Sequence, residues 1–388
     1  MNDLDAWLAE HTDELIAIRR DLHAHPEVAF EERRTTRLIA DRLRAMGLQP
    51  VLPAGGTGGT GVICDIGTEG PLIALRADID ALPIADTKDV PYRSTVPGAC
   101  HACGHDAHTT ILLGTAAVLA RMELPGRVRL LFQPAEEHIP GGALNLIAAG
   151  AMKDVEAIFA LHCDPRVDVG RIGLRVGPIT AACDTVDVAL SGNGGHTGRP
   201  HLTADLVYAL GRLITDLPGL LSRRVDPRAS LSLVWGTVAA GNVPNAIPPS
   251  GSASGTLRML DHAVWDGAEG LIRQLIDEIL APTGARAAVT YERGVPPVVN
   301  DASAVEVQRA AVLGAFGPDA LDETAQSMGG EDFAWYLEHA PGALARLGVR
   351  TPGAATSLDL HQSTFDLDEA ALAVGVRFMV GTALTALL

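Results

Sequence analysis

Apolar residues recur at helical spacing in LDAWLAEHTDELIAIRRDL (4–22) and RRTTRLIADRLRAMG (33–47), the second stopping at Gly47 as helices do. Two short apolar runs follow, TGVICDIG (60–67) and PLIALRADID (71–80), bounded by glycines and a proline, and both predict strands. The pattern then alternates. It predicts a helix over 106–122, a strand over 126–133, a helix over 141–152 and a strand over 157–163. Such alternation implies a largely parallel sheet covered by helices on both faces, with chemistry gathered beyond the carboxyl ends of its strands. From Asp184 the rhythm changes to strand (184–192), helix (203–222), strand (230–241), strand (252–260), helix (262–280) and strand (285–294). That βαββαβ order describes a ferredoxin-like unit. The expected fold is therefore α/β: a mostly parallel-sheet main domain over 1–181 and 293–388, with a ferredoxin-like domain inserted at 182–292.

Totals narrow the function classes. A chain of 388 residues, 47% hydrophobic and 20% charged, has ample material for two packed domains. A net charge of −17 argues against a nucleic-acid partner, because phosphate binding needs a cationic surface. No run of about 18 apolar residues occurs, so no membrane partner is expected. The acidic start MNDLDAWLAEHTDE lacks the basic and apolar regions of a secretory signal. Five cysteines, an odd number in a long chain, fit a reducing compartment, and the cytoplasm is the expectation.

Candidate chemistry concentrates in HACGHDAHT (101–109). Cys100 and Cys103 could form a redox pair, though Pro97-Gly98 precedes them rather than a helix start. A structural zinc knuckle would want a second C-x-x-C. A capped helix start with a packed cysteine explains the stretch alone about as well as a metal site does. Other residues shift the balance. Glu136-Glu137 follows a strand, where adjacent side chains point to different sides, so one carboxylate can bind a metal and the other reach a water. His162 closes AIFAL, and His361 lies in SLDLHQSTFDLDE. Cys103, His105, Glu137, His162 and His361 together make a thiolate, imidazole and carboxylate set suited to zinc or a similar ion. Five ligands exceed what one catalytic zinc uses, so two ions sharing a ligand fit better.

LHAHPEVAFEE, LRADIDALPI, HACGHDAHT, FQPAEE, FALH, GGHTGRPH, NAIP, GTLR, MGGEDF and LHQSTFDLDE follow one another in this order. In this the chain resembles the hippurate hydrolase and indole-acetyl-amino-acid hydrolase branch of the aminoacylase and glutamate-carboxypeptidase metallopeptidases. The resemblance implies a binuclear catalytic domain and an inserted dimerisation or lid domain. It implies metal-dependent hydrolysis of the amide of N-acyl or N-aroyl amino acids by a homodimer. It makes Cys103, His105, Glu137, His162 and His361 the ligands of two divalent ions, zinc first, with manganese, cobalt or nickel as alternatives. Glu136 becomes the general base, and Asp80 the carboxylate that fixes a ligand histidine. Asp78 stands where other branches place a metal histidine, and Cys103 where they use a bridging aspartate. His196 matches a histidine that contacts the substrate from the neighbouring subunit, and Asn245 and Arg258 match positions at the substrate's carboxylate. His23 is expected to be structural, and His108 to orient a neighbour. A dipeptidase or carboxypeptidase of the same family is the nearest rival, and a non-catalytic metal-binding protein a remote one.

Overall fold

Seven strands form the large sheet of the protein, whose computed structural model describes residues 2–53, 59–354 and 358–388. The chain divides into two compact units: 1–177 with 299–325 and 332–388, and 178–298 with 326–331. The second unit thus takes in 326–331, which the pattern assigns to the first. The backbone accounts for this, since Ser327 donates its N–H to the Ile179 carbonyl at 2.8 Å.

In the first unit the sheet is built on β1 (Val62–Ile66), β2 (Leu72–Asp78), β3 (Arg127–Gln133), β4 (Ala157–Asp168) and β5 (Ile172–Leu174). Its order is β1, β3, β2, β4, then strand Gly342–Arg350, β5 and strand Leu321–Glu323. β2 runs parallel to both β3 and β4, and β4 parallel to Gly342–Arg350. Among the described strands of this sheet, β1 pairs antiparallel with β3, and β5 with Gly342–Arg350. The parallel centre leaves no face for water, and all seven residues of β2 are buried. Strand Gly342–Arg350 lies next to β4, yet its alanines and central arginine do not predict a strand.

Helix α3 (His105–Leu119), which follows α1 (Asn2–Ala24) and α2 (Arg33–Ala45), shows why the site has a rigid base. Fourteen of its fifteen residues are buried, so it behaves as an interior helix rather than an amphipathic one. Glycines let its neighbours approach closely. A Cβ at Gly114 would lie 2.7 Å from Val376 and 3.0 Å from Leu15, and one at Gly375 would strike Ile111. Helices Asn2–Ala24 and Ala370–Ala386 therefore pack directly against α3.

Buried ion pairs lock these helices together. Arg19, fully buried, reaches Asp106 and Asp366, each at 2.8 Å, while His23 meets the same Asp106 oxygen at 2.6 Å. His23 is thus structural, as the sequence reading has it.

The second unit carries a four-stranded antiparallel sheet in the order Arg286–Val295, Ala182–Ser191, Ser250–Met259, Ser232–Ala240. Helices Leu206–Arg224 and His262–Leu280 complete the βαββαβ order. Buried Asp184 ties it internally, accepting from the Trp265 indole at 3.0 Å and the Gly294 N–H at 2.9 Å. No helix among the described residues is long and apolar enough to cross a membrane.

Removing Arg19 would leave Asp106 as a buried charge without its guanidinium. Arg19→Met is expected to lower unfolding free energy by about 3–5 kcal/mol, read as a shifted urea midpoint.

Candidate metal centre

The carboxyl ends of parallel neighbours place the reactive side chains together. β2 runs out at Asp78 and is followed by Asp80; β3 ends at Gln133 and is followed by Glu136 and Glu137. His162 does not end its strand as the apolar run implies, for β4 continues to Asp168. It stands clear of β2 nonetheless, because β4 pairs with β2 only as far as Ala160.

Cys103 and His105 flank Gly104, whose φ of +86° favours a residue without a side chain. A Cβ there would also lie 2.9 Å from the Cys163 sulfur. That tight turn starts α3 with His105 as its first residue. Ala135 is held at φ +54°, a left-handed conformation costing roughly 1–2 kcal/mol for a side chain. It turns the backbone so that Glu136 and Glu137 lie in a turn beyond the end of β3. His361 also has positive φ, +61°, and its N–H bonds the Ala102 carbonyl at 2.8 Å.

Five groups result among the described residues, each with donor atoms within 4.8 Å of one another; Cys103–His105–His162, Cys103–Glu137–His361 and His105–Glu136–Glu137 overlap at the cluster, beside Asp78–His105–His108 and Glu136–Glu331–Asp332. Cys103 Sγ lies 3.4 Å from His162 Nε2, and His361 Nε2 lies 3.1 Å from Glu137 Oε1. Glu136 Oε2 is 3.8 Å from His105 Nε2. Cys103, His105 and His162 are buried; the His361 side chain keeps 51% of its surface, leaving one side of the cluster open.

Hydrogen bonding fixes which nitrogen each imidazole offers. His105 Nδ1 faces only acceptors, the Asp80 carbonyl at 2.9 Å and Oδ1 at 3.2 Å, so that nitrogen carries a proton. His162 Nδ1 likewise donates to the Cys163 carbonyl at 2.8 Å. Each Nε2 therefore points into the cluster, and His105 Nε2, though buried, has no hydrogen-bond partner. His108 is used up differently. Its Nδ1 donates to Asp78 at 2.6 Å and its Nε2 accepts the Cys163 N–H at 2.9 Å, which makes it an orienting residue. Asp78 is also bound by Arg76 at 2.6 Å.

The electrostatics ask for cations. Burial, reinforced by Glu137 and Glu136, pushes the Cys103 thiol well up. Burial pulls His105 down, but Asp78 and Asp80 overcome it and hold the imidazole up to about 10. Burial, with His108 beside it, drives His162 well below the usual imidazole range. An orphaned buried nitrogen, a thiol and clustered carboxylates form a donor set that fits two divalent ions. All five cysteines are buried thiols, and Cys100 and Cys103 form no disulfide.

His196, Asn245 and Arg258 belong to the second unit. The ribbon pairing Gly195–His196 with Ala246–Ile247 brings His196 beside Asn245, whose carbonyl accepts the Thr197 N–H at 3.3 Å. Arg258 lies toward the far end of strand Ser250–Met259, eight residues beyond Ser250, or roughly 27 Å along a strand. Its guanidinium donates to the Met328 carbonyl. Glu32, Gln133 and Asp332 carry no role in the sequence reading, yet Gln133 binds both Asp332 oxygens, at 2.9 and 2.7 Å, behind the Glu136 turn.

An α/β sheet with such a donor set at its strand ends defines a metal-dependent hydrolase. The chain belongs to peptidase family M20/M25/M40, whose profile matches residues 74–385, and it is a hydrolase of carbon–nitrogen bonds. It is 39% identical over 389 residues to the N-acetylcysteine deacetylase of Bacillus subtilis, covering 98% of each chain. A Rhodococcus jostii protein named as a glutamate–cysteine ligase is 54% identical over 367 residues, which is 94% of this chain. This chain spans only 46% of that longer protein. Among solved structures, the YXEP protein of Bacillus subtilis, described as a dinuclear metal binding peptidase from the M20 family, superposes with a TM-score of 0.85. It shares 34% identity and is covered over 99% of its length and 98% of this chain.

Asp80 holds both His105 and, through Oδ2, the Glu137 N–H at 3.0 Å. Asp80→Ala is therefore expected to weaken zinc binding about 10–100-fold. Competition with a chelating dye measures this, and unchanged affinity would count against the role.

Proposed function

We propose that this protein hydrolyses the amide bond of N-acyl or N-aroyl amino acids, releasing a carboxylic acid and an amino acid. The observation that carries the reading is the set of three triads meeting at Cys103 and His105. In this reading Cys103, His105, Glu137, His162 and His361 hold two divalent ions, with zinc favoured by the thiolate and imidazole donors. Such ions, when bound, supply Lewis acidity to the scissile carbonyl and acidify a water.

Glu136 is the general base. Its carboxylate stands 3.8 Å from His105 Nε2 with its side chain only 8% exposed. It takes the proton of the attacking water and returns it to the leaving amine, so the residue ends the cycle unchanged. His196 is suited to bind the developing oxyanion. Its Nδ1 accepts the Gly198 N–H at 2.9 Å, which leaves the proton on Nε2 as a donor. Arg258 takes the substrate carboxylate through its planar fork, with Asn245 beside His196 contributing a further polar contact.

The separation of His196 and Asn245 from Arg258 within one chain supports a homodimer, in which each site would take the first two from its partner. Buried, unpaired cysteines support a cytoplasmic location. The family name covers peptidases as well, so a dipeptidase or carboxypeptidase is the rival that a panel of N-acetyl, N-benzoyl and dipeptide substrates separates.

Glu136→Gln should keep its metal by elemental analysis yet lose about 10²–10⁴-fold in kcat on an N-acyl amino acid. Undiminished turnover would end this assignment. Chelation should abolish activity, and added zinc, manganese, cobalt or nickel should restore it. Activity that survives verified metal removal would sink the metal-dependent reading.

A further inference from the structure

We propose that Glu32 is a positioning residue for the Glu136–Glu137 pair, an inference that rests on the roles proposed above for those two carboxylates. Glu32 lies immediately before helix Arg33–Ala45, where a carboxylate could cap the helix, but it makes no side-chain cap. It is fully buried, and its Oε1 accepts the Ala135 N–H at 2.8 Å. Its Oε2 has no hydrogen-bond partner, and it makes no ion pair among the described residues. Burial, with the negative charge of Asp80 added, raises this carboxyl to about 7. A buried acid without a cation is costly to keep, and beyond the amides of its own segment, Phe30 and Glu32, what it reaches is the Ala135 N–H.

That amide sits at a critical place. Ala135 adopts φ +54°, which its Cβ disfavours, and it directly precedes the two glutamates. On the other side of Glu136, the Glu137 N–H is taken by Asp80 Oδ2 at 3.0 Å. Two carboxylates from separate parts of the chain thus grip the amides of residues 135 and 137. Between them they hold the turn in which Glu136 and Glu137 lie. Without the Glu32 oxygen, the peptide at Ala135 relaxes toward an ordinary conformation and carries both carboxylates away from the cluster. A misplacement of about 1 Å is enough to cost roughly 100-fold in rate.

Three variants test this. Glu32→Gln keeps an acceptor at the same reach, Glu32→Asp keeps the charge but withdraws the oxygen by one methylene, and Glu32→Met fills the space without an acceptor. Expected are near wild-type kcat and zinc affinity for Gln. Met and Asp should lose roughly 10–100-fold in kcat per folded molecule at unchanged KM, and apoprotein zinc affinity, measured by dye competition, should weaken by a similar factor. Ala135→Gly, which removes the steric cost of positive φ, should restore part of the kcat lost in the Met variant. Wild-type values in Met and Asp, equal losses in all three variants, or no rescue by glycine would overturn the proposal. If the Met variant does not fold, the contrast between Asp and Gln decides. Failure of the general-base reading would show separately, as full activity of Glu136→Gln.

Discussion

The Asp80 carboxylate, just past the end of β2, holds the site together. One of its oxygens lies against His105 Nδ1 and the other accepts the Glu137 N–H. Through these two contacts the start of α3 and the turn after β3 are set against each other. Sequence distance between these segments is spanned by a parallel sheet, in which the ends of adjacent strands are neighbours by construction. Loosening this carboxylate would free an imidazole and a carboxylate at once.

Around it, acids are sorted by what neutralises them. Asp106 is answered by Arg19 and His23, and Asp332 by Arg76 at 2.8 Å. Asp78 is answered by Arg76 and His108. These pairs are dry, and their guanidinia are fixed by several acceptors, so they act as struts. Glu136 and Glu137 are treated differently. They face imidazoles and a thiol, groups whose protons can be exchanged for a cation. Each of the three scaffold acids is answered by a guanidinium, a charge that no proton exchange removes.

Much of this was legible in the sequence because it rests on local pattern. The strands preceding Asp80 and Glu136, the interior helix after His105 and the βαββαβ order all announce themselves through periodicity and glycine punctuation. Strand Gly342–Arg350 did not. Its buried Arg346 interrupts an otherwise apolar run, and pairing with β4 on one side and β5 on the other makes it a strand. The conformation of the turn before Glu136 is not legible for a related reason: nothing in the letters QPAEE marks Ala135 for positive φ. Glu32 was invisible because its meaning is a contact 103 residues away.

His361 and helix Ala370–Ala386 follow the inserted unit in the sequence. The first faces Glu137, and the second packs on the helix that begins with His105. The cluster is thus complete only when segments on either side of the inserted unit have come together, so its assembly waits on contacts between residues far apart in sequence.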